Sequence, residues 1–322
     1  MGRCDGGSEH GLSIAYLFPG QGAQTPGFLH RLPEHAAISA TLAEASATLG
    51  LDVGSLDTAT ALSSTVAVQL GTLIAGVAVM RALSQEGVRA DAAAGLSVGA
   101  FGAAVACGAI AFTDALRLVR LRAESMEQAY PHGYGMAAIV GLEERQVAGI
   151  VEQLGGAAAQ LYVASINAPM QIVVSGANGA LETAVEAARR AGARQAARMA
   201  VHVPSHCVLL ASVAQRLAKA FESVALQPPQ MPYVSNRRAR VVYDVEGVRK
   251  DLIQNAAFAV RWHESVTVLY ELGVRLFIEP PPGQVLSRLA QQSFPEARAV
   301  AAEDAQLRSI VLLAGRERAF EA

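Results

Sequence analysis

Ala92-Ala-Ala-Gly95-Leu96-Ser97-Val98-Gly99-Ala-Phe101-Gly-Ala-Ala-Val-Ala-Cys107-Gly-Ala-Ile-Ala-Phe112 is the stretch that decides how this chain folds. It contains no charged residue, and near its start stands Gly95-Leu96-Ser97-Val98-Gly99, a Gly-x-Ser-x-Gly. That pattern can turn a buried strand sharply into a helix and leave the serine hydroxyl exposed above a sheet. Glycine is wanted at both ends because a side chain would collide where strand and helix meet. An uncharged run of this length also suits a membrane span. Composition argues against that reading: the run is mostly Ala and Gly, with neither aromatic belt nor basic cluster beside it. A strand over 90–95, an elbow, and a helix over 98–109 is the expected structure. With 29 glycines in the chain, a chance match is the competing explanation, so partners for Ser97 must be sought elsewhere.

The chain has 322 residues, 52% of them hydrophobic and 17% charged, which is ample for a large core. A formal net charge of -2 gives no electrostatic case for nucleic-acid binding. Cys4, Cys107 and Cys207 are widely spaced. They offer no metal-ligand spacing and no disulfide framework, which fits a reducing cytoplasm. Residues 1–11 are polar and Gly-rich without an apolar segment, and are expected to be a disordered leader.

Upstream of the elbow, 12–18 reads as a buried strand entering the loop Pro19-Gly20-Gln21-Gly22-Ala23-Gln24. Glycines on both sides of Gln21 let the backbone approach a ligand closely, although an ordinary β-turn has the same composition. Helical periodicity covers 36–49 and 64–83, the second strongly apolar around a lone polar Gln69 that must find hydrogen-bond partners. An amphipathic helix over 113–130, capped by Thr113 or Asp114, carries Arg117, Arg120 and Arg122.

After the break at Pro131-His132-Gly133 the texture changes. Short strands at 136–140, 162–167, 171–175 and 195–201 alternate with helices at 143–153 and 177–191. That order predicts a small ferredoxin-like α+β insert. Pro204-Ser205-His206 is expected at the start of a helix over 208–221, where the imidazole would be held in place. A strand at 233–235, a helix at 251–258, a buried strand at 274–279 and a terminal helix from Gln284 complete the reading.

Five features in order resemble the malonyl-CoA:acyl carrier protein transacylases: Phe18-Pro19-Gly20-Gln21-Gly22-Ala23-Gln24, the Gly-x-Ser-x-Gly, Arg122, Pro204-Ser205-His206, and Ile278-Glu279-Pro280-x-x-Gly283. Four further stretches narrow the likeness: Leu56-Asp57-Thr58, 64–69, 95–101 and 130–136. They are similar to the epsilon subunit of bacterial malonate decarboxylase. The resemblance implies an α/β-hydrolase-like large domain with a parallel sheet core (12–133 and 204–322) and a ferredoxin-like insert (134–203). It implies malonyl transfer from malonyl-CoA to the phosphopantetheine-type thiol of an acyl carrier protein, without a bound cofactor or metal. Other malonate decarboxylase subunits would then be partners, whereas nucleic acid and membrane would not.

Residue by residue, the resemblance implies Ser97 as nucleophile and His206 as general base. The N–H groups of Gln21 and Val98 would hold the oxyanion. Arg122 would take the free malonyl carboxylate, with Gln69 and Asn167 as further polar contacts. The histidine would be oriented by a main-chain carbonyl near Arg261. Two departures stand out: Leu96 occupies the position of the family's usual His, and Phe258-Ala259-Val260-Arg261-Trp262 replaces Asn-Pro-Val-Gln-Trp. A fatty-acid-synthesis transacylase is the alternative setting. A serine thioesterase would share the elbow but would call for an Asp or Glu before a late His, and would leave Arg122 without a purpose.

Overall fold

A computed structural model describes residues 12–319, so the expected leader at 1–11 lies outside the described residues. The strands are β1 (Ile14–Phe18), β2 (Ala92–Gly95), β3 (Tyr134–Val140), β4 (Leu161–Ala168), β5 (Gln171–Ala177), β6 (Gln195–Arg198), β7 (Tyr233–Val234), β8 (Val241–Val242), β9 (Leu276–Glu279) and β10 (Arg298–Ala301). The helices are α1 (Ala36–Leu49), α2 (Thr65–Gln85), α3 (Gly99–Ala106), α4 (Phe112–Ala129), α5 (Glu144–Gln153), α6 (Asn178–Arg190), α7 (Ala211–Phe221), α8 (Val245–Gln254), α9 (Trp262–Glu271), α10 (Val285–Ser293) and α11 (Leu307–Ala319).

One sheet has the order β10-β9-β1-β2-β7-β8. All its pairs are parallel except β7–β8. Its central strands β1, β2 and β9 are buried at every position, as a parallel sheet covered on both faces requires. The other sheet, β4-β5-β3-β6, is antiparallel and carries α5 and α6. The chain order β3-α5-β4-β5-α6-β6 and this strand order make it ferredoxin-like. The protein is thus α/β, with a mixed, mostly parallel sheet beside a smaller antiparallel one. The two sheets touch where Val260 adds to the edge of β4: Val260 N–H donates to Ala164 O at 3.0 Å, and Ile166 N–H donates to Val260 O at 2.8 Å.

Among the described residues, the helix long and apolar enough to span a membrane is α2, not the Ala92–Phe112 run. Its apolar window is 89% buried in the fold, which identifies a core helix. It starts where the Ser64 hydroxyl accepts from Val66 N–H at 3.1 Å.

Several local expectations are corrected. α4 begins at Phe112 behind Ala111 and has no side-chain cap, so neither Thr113 nor Asp114 fills that role. The helix expected at 251–258 lies earlier, at Val245–Gln254, because the Asp244 carboxylate accepts from Gly247 N–H at 2.7 Å and starts it there. His206 does not open a helix. It occupies a turn with φ 63°, ahead of a single 3-10 turn at Val208–Leu210, and α7 follows from Ala211. β8, β10, α9 and α11 were not foreseen.

Candidate active site

The elbow is made by steric necessity. A Cβ on Gly95 would stand 2.0 Å from Gly99 O, and one on Gly99 would stand 2.2 Å from Phe18 O. Only two glycines let α3 leave β2 this tightly. Ser97 takes the strain, with φ 56°, a region that a non-glycine residue enters at a cost of about 1–3 kcal/mol.

Two asparagines hold the strained turn. Asn236 donates its side-chain N–H to Gly95 O at 2.8 Å and accepts Ser97 N–H on Oδ1 at 3.0 Å. Asn255 donates Nδ2–H to Ser97 O at 3.0 Å. Behind Asn236, the buried carboxyl of Asp251 accepts from Asn236 N–H at 3.1 Å and Tyr233 OH at 2.7 Å. Neither asparagine was picked out from the sequence. Their partners are backbone groups 139 and 158 positions away, and no local pattern reports such contacts.

Above the turn, Ser97 Oγ lies 2.8 Å from His206 Nε2, while His206 Nδ1 lies 2.6 Å from Asn255 O. A carbonyl can only accept, so Nδ1 carries the proton and Nε2 is left to accept from the serine. The expected orienting carbonyl near Arg261 is therefore that of Asn255. Arg261 N–H instead donates to Asn236 O at 2.9 Å. Burial first, and then the positive charge of Arg122, push His206 down to about 4. The imidazole is neutral across the physiological range, and no carboxylate is needed to fix its tautomer.

Arg122 is fully buried, unlike Arg117 and Arg120 on the same helix, which pair with Asp114 and Glu124 on the surface. Its partners are all neutral. It donates to Gln69 Oε1 at 2.5 Å, Ser97 Oγ at 3.2 Å and Asn255 Oδ1 at 3.4 Å, and its Nε–H has no acceptor among the described residues. Burial lowers its pKa to about 10, still well above neutrality. The guanidinium is thus a buried cation without a carboxylate, an arrangement that is costly unless an anion arrives.

Gln69 links Arg122 to the loop before the elbow by donating to Gln21 Oε1 at 3.2 Å. That loop lies against the nucleophile turn. Leu96 N–H donates to Phe18 O at 2.9 Å, and a Cβ on Gly20 would sit 3.0 Å from Leu96 O. Ser97 N–H is taken by Asn236, whereas Val98 N–H and Gln21 N–H enter no hydrogen bond among the described residues. Asn167 accepts from Ser165 OH at 2.5 Å and lines the same small cavity, of about 60 Å³, as Gln21, Leu96, Ser97 and His206. Leu96 packs at the border of the core cluster around Leu17 and Trp262, which gives it a packing role at the cavity wall. All seven residues picked out from the sequence therefore gather at the elbow or the cavity above it. A larger open cleft of about 490 Å³, between Thr65, Tyr130 and Asn178, contains none of them.

Glu279 of the Ile-Glu-Pro stretch is elsewhere. Its buried carboxylate accepts from Leu286 N–H at 3.0 Å and Ser287 N–H at 2.6 Å, anchoring the start of α10.

This arrangement can activate a serine for acyl transfer. Comparison with known proteins points the same way. The malonyl CoA-acyl carrier protein transacylase of Escherichia coli strain K12 is 37% identical over 288 residues, covering 87% of this chain and 92% of that one. The crystal structure of an acyl-carrier-protein S-malonyltransferase from Burkholderia pseudomallei superposes with a TM-score of 0.88 at 35% identity, covering 94% and 100% of the two chains. A malonyl transacylase solved in complex with its type II PKS acyl carrier protein matches with a TM-score of 0.88 at 34% identity, covering 94% and 99%. Residues 15–314 match the acyl transferase domain family, and the chain, an acyltransferase, belongs to it.

Proposed function

We propose that this protein moves a malonyl group from malonyl-CoA to the thiol of an acyl carrier protein through a malonyl ester of Ser97. The observation that carries the reading is Arg122: a buried guanidinium with only neutral partners, whose Nη2 is 3.2 Å from Ser97 Oγ. An acyl group that ends in a carboxylate supplies the missing anion, while acetyl leaves the cation unpaired.

In the first half-reaction Ser97 Oγ attacks the thioester carbonyl as its proton passes to His206 Nε2. The tetrahedral oxyanion is held by the N–H groups of Gln21 and Val98, donors typically worth about 2.7–4 kcal/mol each in such a site. Collapse breaks the C–S bond, and the imidazolium returns its proton to the coenzyme A thiolate. The second half runs in reverse with the carrier thiol: His206 accepts the thiol proton, the thiolate attacks the ester, and Ser97 Oγ leaves and is reprotonated. Gln69 keeps Arg122 and the Gln21 loop in register, and Asn167 offers its amide to the acyl chain.

Malonyl-CoA alone should load Ser97 with an adduct of about 86 Da, and holo-carrier should discharge it. Release of malonate at a rate indifferent to carrier would favour a thioesterase and sink the transferase reading.

Of the two settings, the relatives favour the general transacylase, the one expected for fatty-acid synthesis. The malonate decarboxylase setting rests on the quoted stretches and on Leu96. Among these, Asp57 has a structural task, accepting from Leu29 N–H at 2.7 Å. Transfer to a dedicated decarboxylase carrier, with none to a general acyl carrier protein, would reverse the preference. The buried thiols of Cys107 and Cys207 suit a reducing compartment, in keeping with a cytoplasmic enzyme.

A further inference from the structure

The feature that the reaction above leaves unused is the side chain of Asn255. Its main-chain carbonyl orients His206, but its amide makes two separate contacts. Nδ2–H donates to the Ser97 carbonyl at 3.0 Å, and Oδ1 accepts from Arg122 Nη2 at 3.4 Å. The residue is 1% exposed, at the C-terminal end of α8, so its short side chain joins the nucleophile turn to the cation while its main chain holds the base.

We infer that the Asn255 side chain is a specificity-determining positioning residue: it aims the Arg122 guanidinium while leaving its charge unneutralised for the substrate carboxylate. This rests on the malonyl-transfer reading and extends it. Asparagine and aspartate have nearly the same shape, and either could accept from Arg122. Only the amide can also donate to Ser97 O, and only the amide leaves the cation free. A carboxylate at Oδ1 would be a permanent internal counter-ion in a buried site, competing directly with the malonyl carboxylate. Gln69 obeys the same rule on the opposite side, with a neutral oxygen 2.5 Å from Nη1.

The experiment measures Ser97 acylation from malonyl-CoA and from acetyl-CoA for the wild type, Asn255→Asp and Asn255→Ala, with the fold of each variant checked by thermal melting. Asn255→Asp should lower the malonyl-to-acetyl ratio of kcat/KM by about 30-fold or more, because the internal ion pair removes the preference for an acidic acyl chain. Asn255→Ala should slow both substrates by about tenfold and lower the ratio by no more than about threefold, because it loosens the elbow and one of the two amide contacts that aim Arg122, while Gln69 still holds Nη1 and the cation still has no counter-ion. The acid limb of the kcat/KM profile should also rise in Asn255→Asp, since a new anion would stabilise protonated His206, and should do so less in Asn255→Ala. Parallel losses in both variants with an unchanged ratio would reduce Asn255 to a structural contact and overturn the inference. An equal change of ratio in both would overturn it as well, since charge would then not be the cause. If Asn255→Asp melts too low to assay, Asn255→Gln, which keeps a neutral amide, must retain the wild-type ratio or the inference fails. A wild type that forms no malonyl adduct on Ser97 would instead defeat the underlying function, independently of Asn255.

Discussion

Arg122 and Arg261 both stand within two contacts of Ser97, and their surroundings are opposite. Arg122 is buried, faces three neutral oxygens, and has its pKa lowered to about 10. The Arg261 guanidinium is one-third exposed and sits between two carboxylates. It donates to Glu144 from Nη1 and Nη2 at 3.2 and 3.1 Å, and to Glu264 at close range, and these anions hold its charge more firmly than usual. Glu144 opens α5 beside the antiparallel sheet, so Arg261 also ties that sheet to the large one. The difference teaches what each charge is for. A cation already neutralised by its own protein can fasten two pieces together. A cation kept from every internal anion is reserved for an external one.

The largest effect should come from Arg122→Ala. Losing two charge-assisted hydrogen bonds at about 1.5–3 kcal/mol each predicts a malonyl kcat/KM lower by roughly a hundredfold or more, with acetyl transfer affected far less. Steady-state assays with both thioesters check this, and equal losses would make Arg122 a structural residue like Arg261. Arg122→Lys keeps the charge but loses the planar fork, and should fall between, about 10- to 100-fold down on malonyl.

The pH profile sharpens the contrast next. His206 must be neutral to accept the serine proton, so kcat/KM of the free enzyme should hold down to an acid limb near pH 4. Arg122→Ala should raise that limb, because the cation is the second cause of the depression, whereas Arg261→Gln should leave it in place. The same shift has a sign for stability. The unfolded chain protonates this histidine near 6.5 and the folded one only near 4. The fold therefore loses this contribution as pH falls from about 6.5 towards 4, and has it in full above that window.

The smallest effect is expected from Glu144→Gln. Breaking a half-exposed ion pair should cost about 0–1 kcal/mol, read as a small drop in denaturation midpoint that high salt abolishes in the wild type. Activity should change less than about threefold, since exposed pairs of this kind carry so little energy. A large loss of malonyl transfer would show that the tie between the sheets shapes the cavity.

Much of this protein was legible in its sequence. Gly95 and Gly99 announce the elbow because only glycine survives contacts of 2.0–2.2 Å, and the buried strand Ile14–Phe18 announces the sheet by its continuous apolar run. The α+β alternation after Gly133 foretold the antiparallel sheet, strand by strand. The sequence places the helix before Arg261 too late, because Asp244 rather than Asp251 starts α8, and the carbonyl that orients His206 is that of Asn255 at the end of this helix rather than the one near Arg261 that the resemblance implies. Both acidic residues look alike in sequence. One caps an exposed helix end, while the other is buried under Tyr233 and Asn236.

By itself, the sequence determined the turn and the order of elements, because local sterics and periodicity are written residue by residue, while the resemblance of its motifs to a family named seven of the groups that gather at the cavity. Only the tertiary structure decided their condition. His206 is neutral because burial and the nearby Arg122 charge disfavour its cation, and Arg122 lacks an internal anion because Asn255 and Gln69, from distant parts of the chain, meet it with neutral oxygens where carboxylates could otherwise stand.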